Sequence, residues 1–421
     1  MQPHYYAKSL NPYNLTIFTM IITPFNIFTL IIFIHQCAIL YIAYRHYLYI
    51  DTKRKNLSTK KSSIRTAIIA PYKGIEHTFE QNAASLFYQT DVDYDIYFVV
   101  ECETDEAYKP LQNIIQTYTA KTNVNAHLLI AGITDIASQK VHNLRHVIKQ
   151  LPPDIAAFAF VDADVTLPTI WLSALIEPLS RKKIGVTTGY RLYVPTDNRL
   201  STSVLSCINA FTASTMGPHK WNCPWGGSMA IMRNCYEAAD IDTYWQTACS
   251  DDYSMGRGIK QLGLRVYFVP QCLVPSYDQM SWSQLFEFST RQFTITRFYM
   301  PDIWLLAFFN ALLYCGVFFF GIIYSIISFI NHQPDAWMTI LLPSIIYLNS
   351  MLKGYFRQRT IIQILPQARK ALRLCKILDV FFQPFVTAMT CFSLIHSAFK
   401  KTIVWRGKTY HLQRKSRQMQ K

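Results

Sequence analysis

The chain has 421 residues, 51% of them apolar, and it carries 41 Lys and Arg against 26 Asp and Glu, a formal net charge of +15. That combination excludes an ordinary soluble globule and fits a membrane protein with a soluble part. The basic excess lacks the aromatic-interleaved basic motif or helix-turn-helix pattern of a nucleic-acid binder, so it argues for contact with a lipid bilayer and against nucleic acid.

A short N-terminal segment, residues 1–13, precedes the first apolar stretch at 14–44, which is long enough for the ~20 residues a bilayer crossing needs. Lys53, Arg54, Lys55, Lys60 and Lys61 follow it, with no small-residue cleavage site between. Residues 14–50 therefore read as an uncleaved transmembrane anchor with its basic boundary. Because Lys and Arg collect on the cytoplasmic side, the rest of the chain is expected there, at the inner membrane if the source is bacterial.

Residues 62–300 change to short apolar runs separated by polar helical stretches, the pattern of an α/β domain. The predicted strands are Arg65–Ala70, Ile96–Val100, Ala126–Ile130, Ala157–Val161, Ile184–Thr188 and Arg265–Val269. The first are apolar on nearly every residue, as in a parallel sheet covered on both faces. Ligands of such sheets lie at the carboxyl ends of the strands. Those ends are polar here: Pro71 and Lys73 after the first, Glu101 and Glu103 after the second, Asp162 and Asp164 after the fourth.

Asp162-Ala163-Asp164 directly follows a buried strand, so both carboxylates can leave its tip towards one site, a geometry suited to a divalent cation and a diphosphate. A polar turn capping a strand is the bland alternative. Lys140 opens a helix after Gly132, either meeting a phosphate or merely starting an exposed helix. In Trp225-Gly226-Gly227 the glycines permit close backbone approach and the ring offers an apolar wall for a sugar or lipid, against the reading of a structural turn. Asp251 and Asp252 start a further helix. They are either caps and dipole partners or, for Asp252, the general base that takes the proton of an incoming hydroxyl. Arg291, Gln292 and Arg297 stand just before the next apolar block and suit a diphosphate, an acceptor or headgroups.

The C-terminal third reads as transmembrane helices over 301–356, a basic amphipathic interfacial helix over 357–377, a membrane segment over 378–399 whose Gln383 and Pro384 suit a re-entrant or interfacial piece, and a basic tail over 400–421. The ten cysteines, none at zinc or redox spacing, are expected to be reduced and buried.

The order of these motifs resembles the family 2 and 21 glycosyltransferases, most closely the ceramide glucosyltransferase-like branch that includes hopanoid-linked bacterial enzymes. The resemblance rests on Ala70-Pro71-Tyr72-Lys73-Gly74, Val100-Glu101-Cys102-Glu103-Thr104-Asp105, Gln139-Lys140-Val141-His142-Asn143-Leu144, Asp162-Ala163-Asp164, Asp251-Asp252-Tyr253, Arg291-Gln292 and Trp405-Arg406-Gly407-Lys408-Thr409-Tyr410. It implies a GT-A, Rossmann-like fold and a single inverting displacement from a UDP-sugar to a membrane lipid hydroxyl such as that of ceramide or a hopanoid. Pro71, Lys73, Glu101 or Glu103, and Lys140 would then surround the nucleotide, Asp162 and Asp164 would hold Mg²⁺ or Mn²⁺, and Asp252 would be the base. Two departures stand out. The acidic residue after the second strand is usually Asp, and the family's (Gln or Arg)-x-x-Arg-Trp signature reads Arg291-Gln292-Phe293-Thr294-Ile295, without its Arg-Trp pair. A processive polysaccharide synthase would keep that pair, and a non-catalytic scaffold would have no need of Asp162, Asp164 and Asp252.

Overall fold

The computed structural model describes residues 24–55, 61–76, 78–333 and 336–412. The expectations for residues 1–23, Lys60 and the tail beyond 412 lie outside the described residues.

Among the described residues seven strands form one mixed sheet in the order β3-β2-β1-β4-β6-β5-β7. They are β1 Ser62–Pro71, β2 Val92–Val100, β3 Ala126–Ile130, β4 Ala157–Val161, β5 Ile184–Pro195, β6 Ser228–Met232 and β7 Arg265–Asp278. β1 to β4 run parallel, β6 runs antiparallel to β4 and β5, and β5 pairs parallel with β7. Successive side chains of a strand point to opposite faces. Thus Ile68, Ala70, Phe98 and Val100 enter one core with Trp171, while Ala67, Ile69, Val99 and Phe160 enter another with Leu144 and Trp245. Two buried faces explain why these strands are apolar throughout.

The strand β6 escapes the sequence reading, which saw a glycine turn there. Its direction matters for the site. Because β6 starts where β4 ends, with Val161 opposite Ser228, the Trp225-Gly226-Gly227 loop is held beside Asp162, whose N–H donates to the Gly227 carbonyl at 3.4 Å. β5 and β7 also run past their predicted ends at Thr188 and Val269. A register shift between Thr188 and Tyr190 passes the chain around Gly189, and pairing resumes from Tyr190–Leu273 to Pro195–Asp278.

Helix Pro24–Lys55 does not stand apart from the domain: Ile50 is fully buried beside Leu192, Val194 and Leu378, and Tyr49 donates to the Phe268 carbonyl at 2.8 Å. Its outer face exposes Leu30, Ile31, Phe33 and Ile34. Among the described residues one helix, Pro301–Ile330, is long and apolar enough to cross a membrane. Helices Arg373–Phe381 and Gln383–Phe399 meet at an 86° bend and are long and apolar enough to cross a membrane only taken together. Pro384, at the start of the second, lacks the N–H that would continue the first.

Residues 357–377 are not one amphipathic helix. Helix Leu341–Ile364 ends before Pro366, and a new helix starts at Arg373. Arg357 faces inward, its Nη2 at 2.6 Å and Nε at 3.1 Å from the Asp379 carboxylate, which also accepts from Gln358 Nε2 at 3.0 Å. All ten cysteines are free, but only Cys207, Cys272, Cys375 and Cys391 are buried, and Cys37 is exposed.

Candidate active site

A cleft of about 770 Å³ opens at the carboxyl ends of β1 and β4, lined by Lys73, Asp162, Asp164, Trp225, Asp252 and Gln292 among others. Each side chain is set there by its element. Ser138 caps helix Gln139–Gln150 by accepting from the Val141 N–H, which fixes Lys140 in the first turn with its Nζ directed back over the strand tips. Lys140 Nζ lies 2.6 Å from Asp162 Oδ1 and 3.0 Å from Asp251 Oδ2, joining the acidic pair after β4 to the one that opens helix Asp251–Gln261.

These charges settle one another. Burial opposes the Lys140 charge, but Asp162 and Asp251 outweigh it and raise the ammonium above its usual range. Burial would likewise raise the Asp162 carboxyl, yet Lys140 and Arg191 hold it below the usual carboxylate range. Asp251, only 5% exposed, is pushed up to about 6 by burial, against the pull of Lys140 and with the repulsion of Asp252 and Asp162.

Asp252 is held differently. Its Oδ1 accepts from Ser250 Oγ at 2.5 Å and from the Tyr253 N–H at 2.7 Å, and its Oδ2 accepts from the Gly226 N–H at 3.2 Å. Three donors at a helix N-terminus hold this carboxylate in one orientation. Gly226 and Gly227 are required by this crowding: a Cβ at Gly226 would stand 2.0 Å from Asp251 Oδ2, and one at Gly227 would stand 2.6 Å from Asp162 Oδ2 and 2.2 Å from the Trp225 ring.

Arg191, in the extension of β5, was not singled out from the sequence. Its guanidinium sits 2.6 Å from Asp164 Oδ2 and 3.8 Å from Asp162 Oδ2, and its carbon lies 4.9 Å from the Trp225 ring centre. Trp225 is thus a platform for Arg191 rather than an open wall. Asp164 Oδ1 is buried without a hydrogen-bond partner. A buried carboxylate oxygen left unpaired beside a second carboxylate fits a hard divalent cation bound by Asp162 and Asp164.

Around the rim, Lys73 Nζ bonds Glu101 Oε1 at 2.8 Å, while Glu103 is exposed, so of the two Glu101 is the one turned to the site. Pro71 and Lys73 both line the cleft. Arg291 and Gln292 line it as well, and burial lowers the proton affinity of Arg291, with Arg191 and Arg406 adding repulsion. Arg297 is not brought to the cleft: its guanidinium donates to the carbonyls of Ala398 and Lys400, tying down the end of helix Gln383–Phe399. In place of the missing Arg-Trp pair, Thr294 is fully buried and Ile295 lines the cleft. The C-terminal hairpin, β8 Thr402–Trp405 and β9 Lys408–His411, adds Trp405, Arg406 and Tyr410 to the lining.

Solved structures offer fold-level likenesses at low identity. A mannosyltransferase from Pyrobaculum calidifontis in complex with GDP-Man and Mn²⁺ is 13% identical, with 87% of this chain and 96% of that one covered at a TM-score of 0.47. The glucosyl-3-phosphoglycerate synthase of Mycobacterium tuberculosis with Mn²⁺ and UDP-glucose is 10% identical, covering 60% and 82% at a TM-score of 0.34. GalNAc-T7 with UDP, GalNAc and Mn²⁺ is also 10% identical, covering 59% and 51% at 0.38. No curated protein sequence matches the chain. The family model of glycosyl transferase family 21 matches residues 30–418, a span that takes in the sheet, both acidic pairs, Arg191 and the hairpin, and the chain belongs to that family of glycosyltransferases.

Proposed function

We propose that this family member is an inverting hexosyltransferase with a GT-A domain on the cytosolic side, moving glucose or an N-acetylhexosamine from a UDP-sugar to the hydroxyl of a membrane lipid such as ceramide or a hopanoid. The observation that carries the reading is Lys140, whose single ammonium joins Asp162 and Asp251 at 2.6 and 3.0 Å and so brings the proposed diphosphate site and the proposed base into one cleft.

In this reading the acceptor oxygen attacks the anomeric carbon as the bond from that carbon to the diphosphate oxygen breaks. The acceptor proton passes to Asp252. Its carboxylate is oriented by Ser250, Tyr253 and Gly226, so little reorganisation is needed as the proton arrives. A single base, Asp252, with Asp162 and Asp164 given to the metal, supports a single displacement. Asp162 and Asp164 would hold Mg²⁺ or Mn²⁺, which would neutralise charge on the departing diphosphate. Arg191 holds the Asp164 carboxylate in place from the other side.

A lipid acceptor is supported by the wall formed by Leu205, Ile208 and Met216 together with Ile303, a residue of the apolar helix Pro301–Ile330. The exposed Leu30, Ile31, Phe33 and Ile34 support a bilayer around the N-terminal helix. The test is transfer by the detergent-solubilised chain, offering labelled UDP-glucose and UDP-N-acetylglucosamine with ceramide, diacylglycerol and hopanoid acceptors. A labelled lipid product is expected from one donor and acceptor pair. Absence of both product and UDP release across all pairs would overturn the proposal.

A further inference from the structure

We propose that the C-terminal hairpin completes the donor site, with Arg406 at its tip binding the diphosphate of the sugar nucleotide in exchange for its present partner, Glu76. The inference rests on the nucleotide-sugar reading above.

The hairpin has a fixed tip. Arg406 and Gly407 form its two-residue turn at φ values of 50° and 77°, with Trp405 paired to Lys408 across it. Two left-handed residues in such a turn match the twist of the flanking strands and set the direction of the tip. Four contacts then hold the hairpin over the cleft. Lys408 Nζ donates to Gln139 Oε1 at 2.9 Å and lies 3.5 Å from Glu101 Oε2. Tyr410 Oη accepts the Gln139 N–H at 3.4 Å, and Arg291 Nη1 donates to the Val404 carbonyl at 3.4 Å. Gln139 precedes Lys140, so the hairpin leans on the helix start that organises the acidic centre.

The electrostatics call for an anion at the tip. Arg191, Arg291 and Arg406 are close enough for the first and last to repel the charge of Arg291, and all three line the same cleft. Arg406 lines the cleft together with Asp162 and Asp164, which places its charge near the proposed diphosphate site. Its ion-pair partner, Glu76, lies on the loop after β1, and both side chains of the pair are partly open to solvent, which screens their attraction. Glu76 is therefore a weak counterion. A phosphate oxygen pair offers the guanidinium a stronger, two-pronged partner and relieves the repulsion among the three arginines.

The test uses calorimetric titration of the full-length, detergent-solubilised chain with UDP and with uridine in the presence of Mn²⁺. Arg406→Ala is expected to weaken UDP binding by about 10- to 100-fold while leaving uridine unchanged. Arg406→Lys keeps part of the affinity, and Glu76→Gln, which frees the guanidinium, tightens UDP binding. Should Arg406→Ala fail to fold, the last two variants carry the test. Wild-type UDP affinity in Arg406→Ala, or an equal loss for uridine, would overturn the inference, the latter marking a purely structural hairpin. A wild type that binds no UDP would instead bring down the nucleotide-sugar reading itself, and the inference with it.

Discussion

Replacing Gly226 by Ala tests the crowding at the centre of the site. The added Cβ would stand 2.0 Å from Asp251 Oδ2 and 2.7 Å from its Cγ, whereas ordinary contact starts at 3.4 Å. Asp251 cannot give way along its backbone, because its carbonyl is fixed by Trp245 Nε1 at 3.0 Å and its residue opens a capped helix. The carboxylate must swing, and the 3.0 Å contact with Lys140 goes with it. Lys140 then follows Asp162 alone, and the relation between the two acidic pairs shifts. A displacement of about 1 Å at reacting groups costs about 100-fold in rate, and overpacking of this size costs about 1–3 kcal/mol in stability. The assay is the transfer rate alongside the thermal midpoint. A variant that transfers within about threefold of the wild-type rate, a difference of ~0.6 kcal/mol, would refute the argument. Gly189→Ala supplies the contrast: its Cβ would stand 1.9 Å from the Cys272 carbonyl oxygen, a backbone atom that cannot swing, so it is expected to lose the fold rather than the rate alone.

Chelation of divalent cations is expected to abolish transfer and added Mn²⁺ or Mg²⁺ to restore it, with Asp164→Asn unresponsive to either; a chelator-insensitive rate would contradict the role given to Asp162 and Asp164. Asp251 holds its proton up to about 6 in the fold against 3.8 outside it, so the stability it contributes is complete below about pH 4 and is lost as pH rises through 6. The lead in thermal midpoint of the wild type over Asp251→Asn should therefore shrink from pH 4 to pH 7, and a constant lead would count against it. Arg357→Ala leaves the fully buried Asp379 without its cation and is expected to cost about 3–5 kcal/mol, read by denaturant unfolding; a loss below about 1 kcal/mol would mean that solvent reaches the pair.

The parts of the sheet that were legible are those whose side chains answer to burial alone. β1, β2 and β4 are apolar on both faces, and the acidic residues that end them stand out against that background. Long-range pairing hid the rest. Gly189 and Pro270 look like strand ends, yet β5 and β7 continue because each provides the other's hydrogen bonds, and Arg191 comes into the site on that extension. β6 is five residues long and has no periodic signal of its own. Between Glu101 and Glu103 the sequence offered no choice. Arg297 was separable in principle: six residues beyond Arg291 on helix Trp282–Tyr299, it falls well off that residue's face at ~100° per residue, which matches its turn towards Ala398. Arg406 and Lys408 read as part of a basic tail because only the closed hairpin brings them back, more than 300 residues on from Glu76 and Glu101, to the first strands of the sheet.

The central claim, that Asp252 takes the acceptor proton, is tested most directly by comparing wild type and Asp252→Asn in one preparation for three quantities: lipid transfer, UDP affinity and thermal midpoint. Asn keeps the shape and can still accept from one side, but it cannot take the proton. The account predicts transfer lower by about 100-fold or more with UDP affinity and midpoint close to wild type. Transfer at the wild-type rate by Asp252→Asn would contradict it.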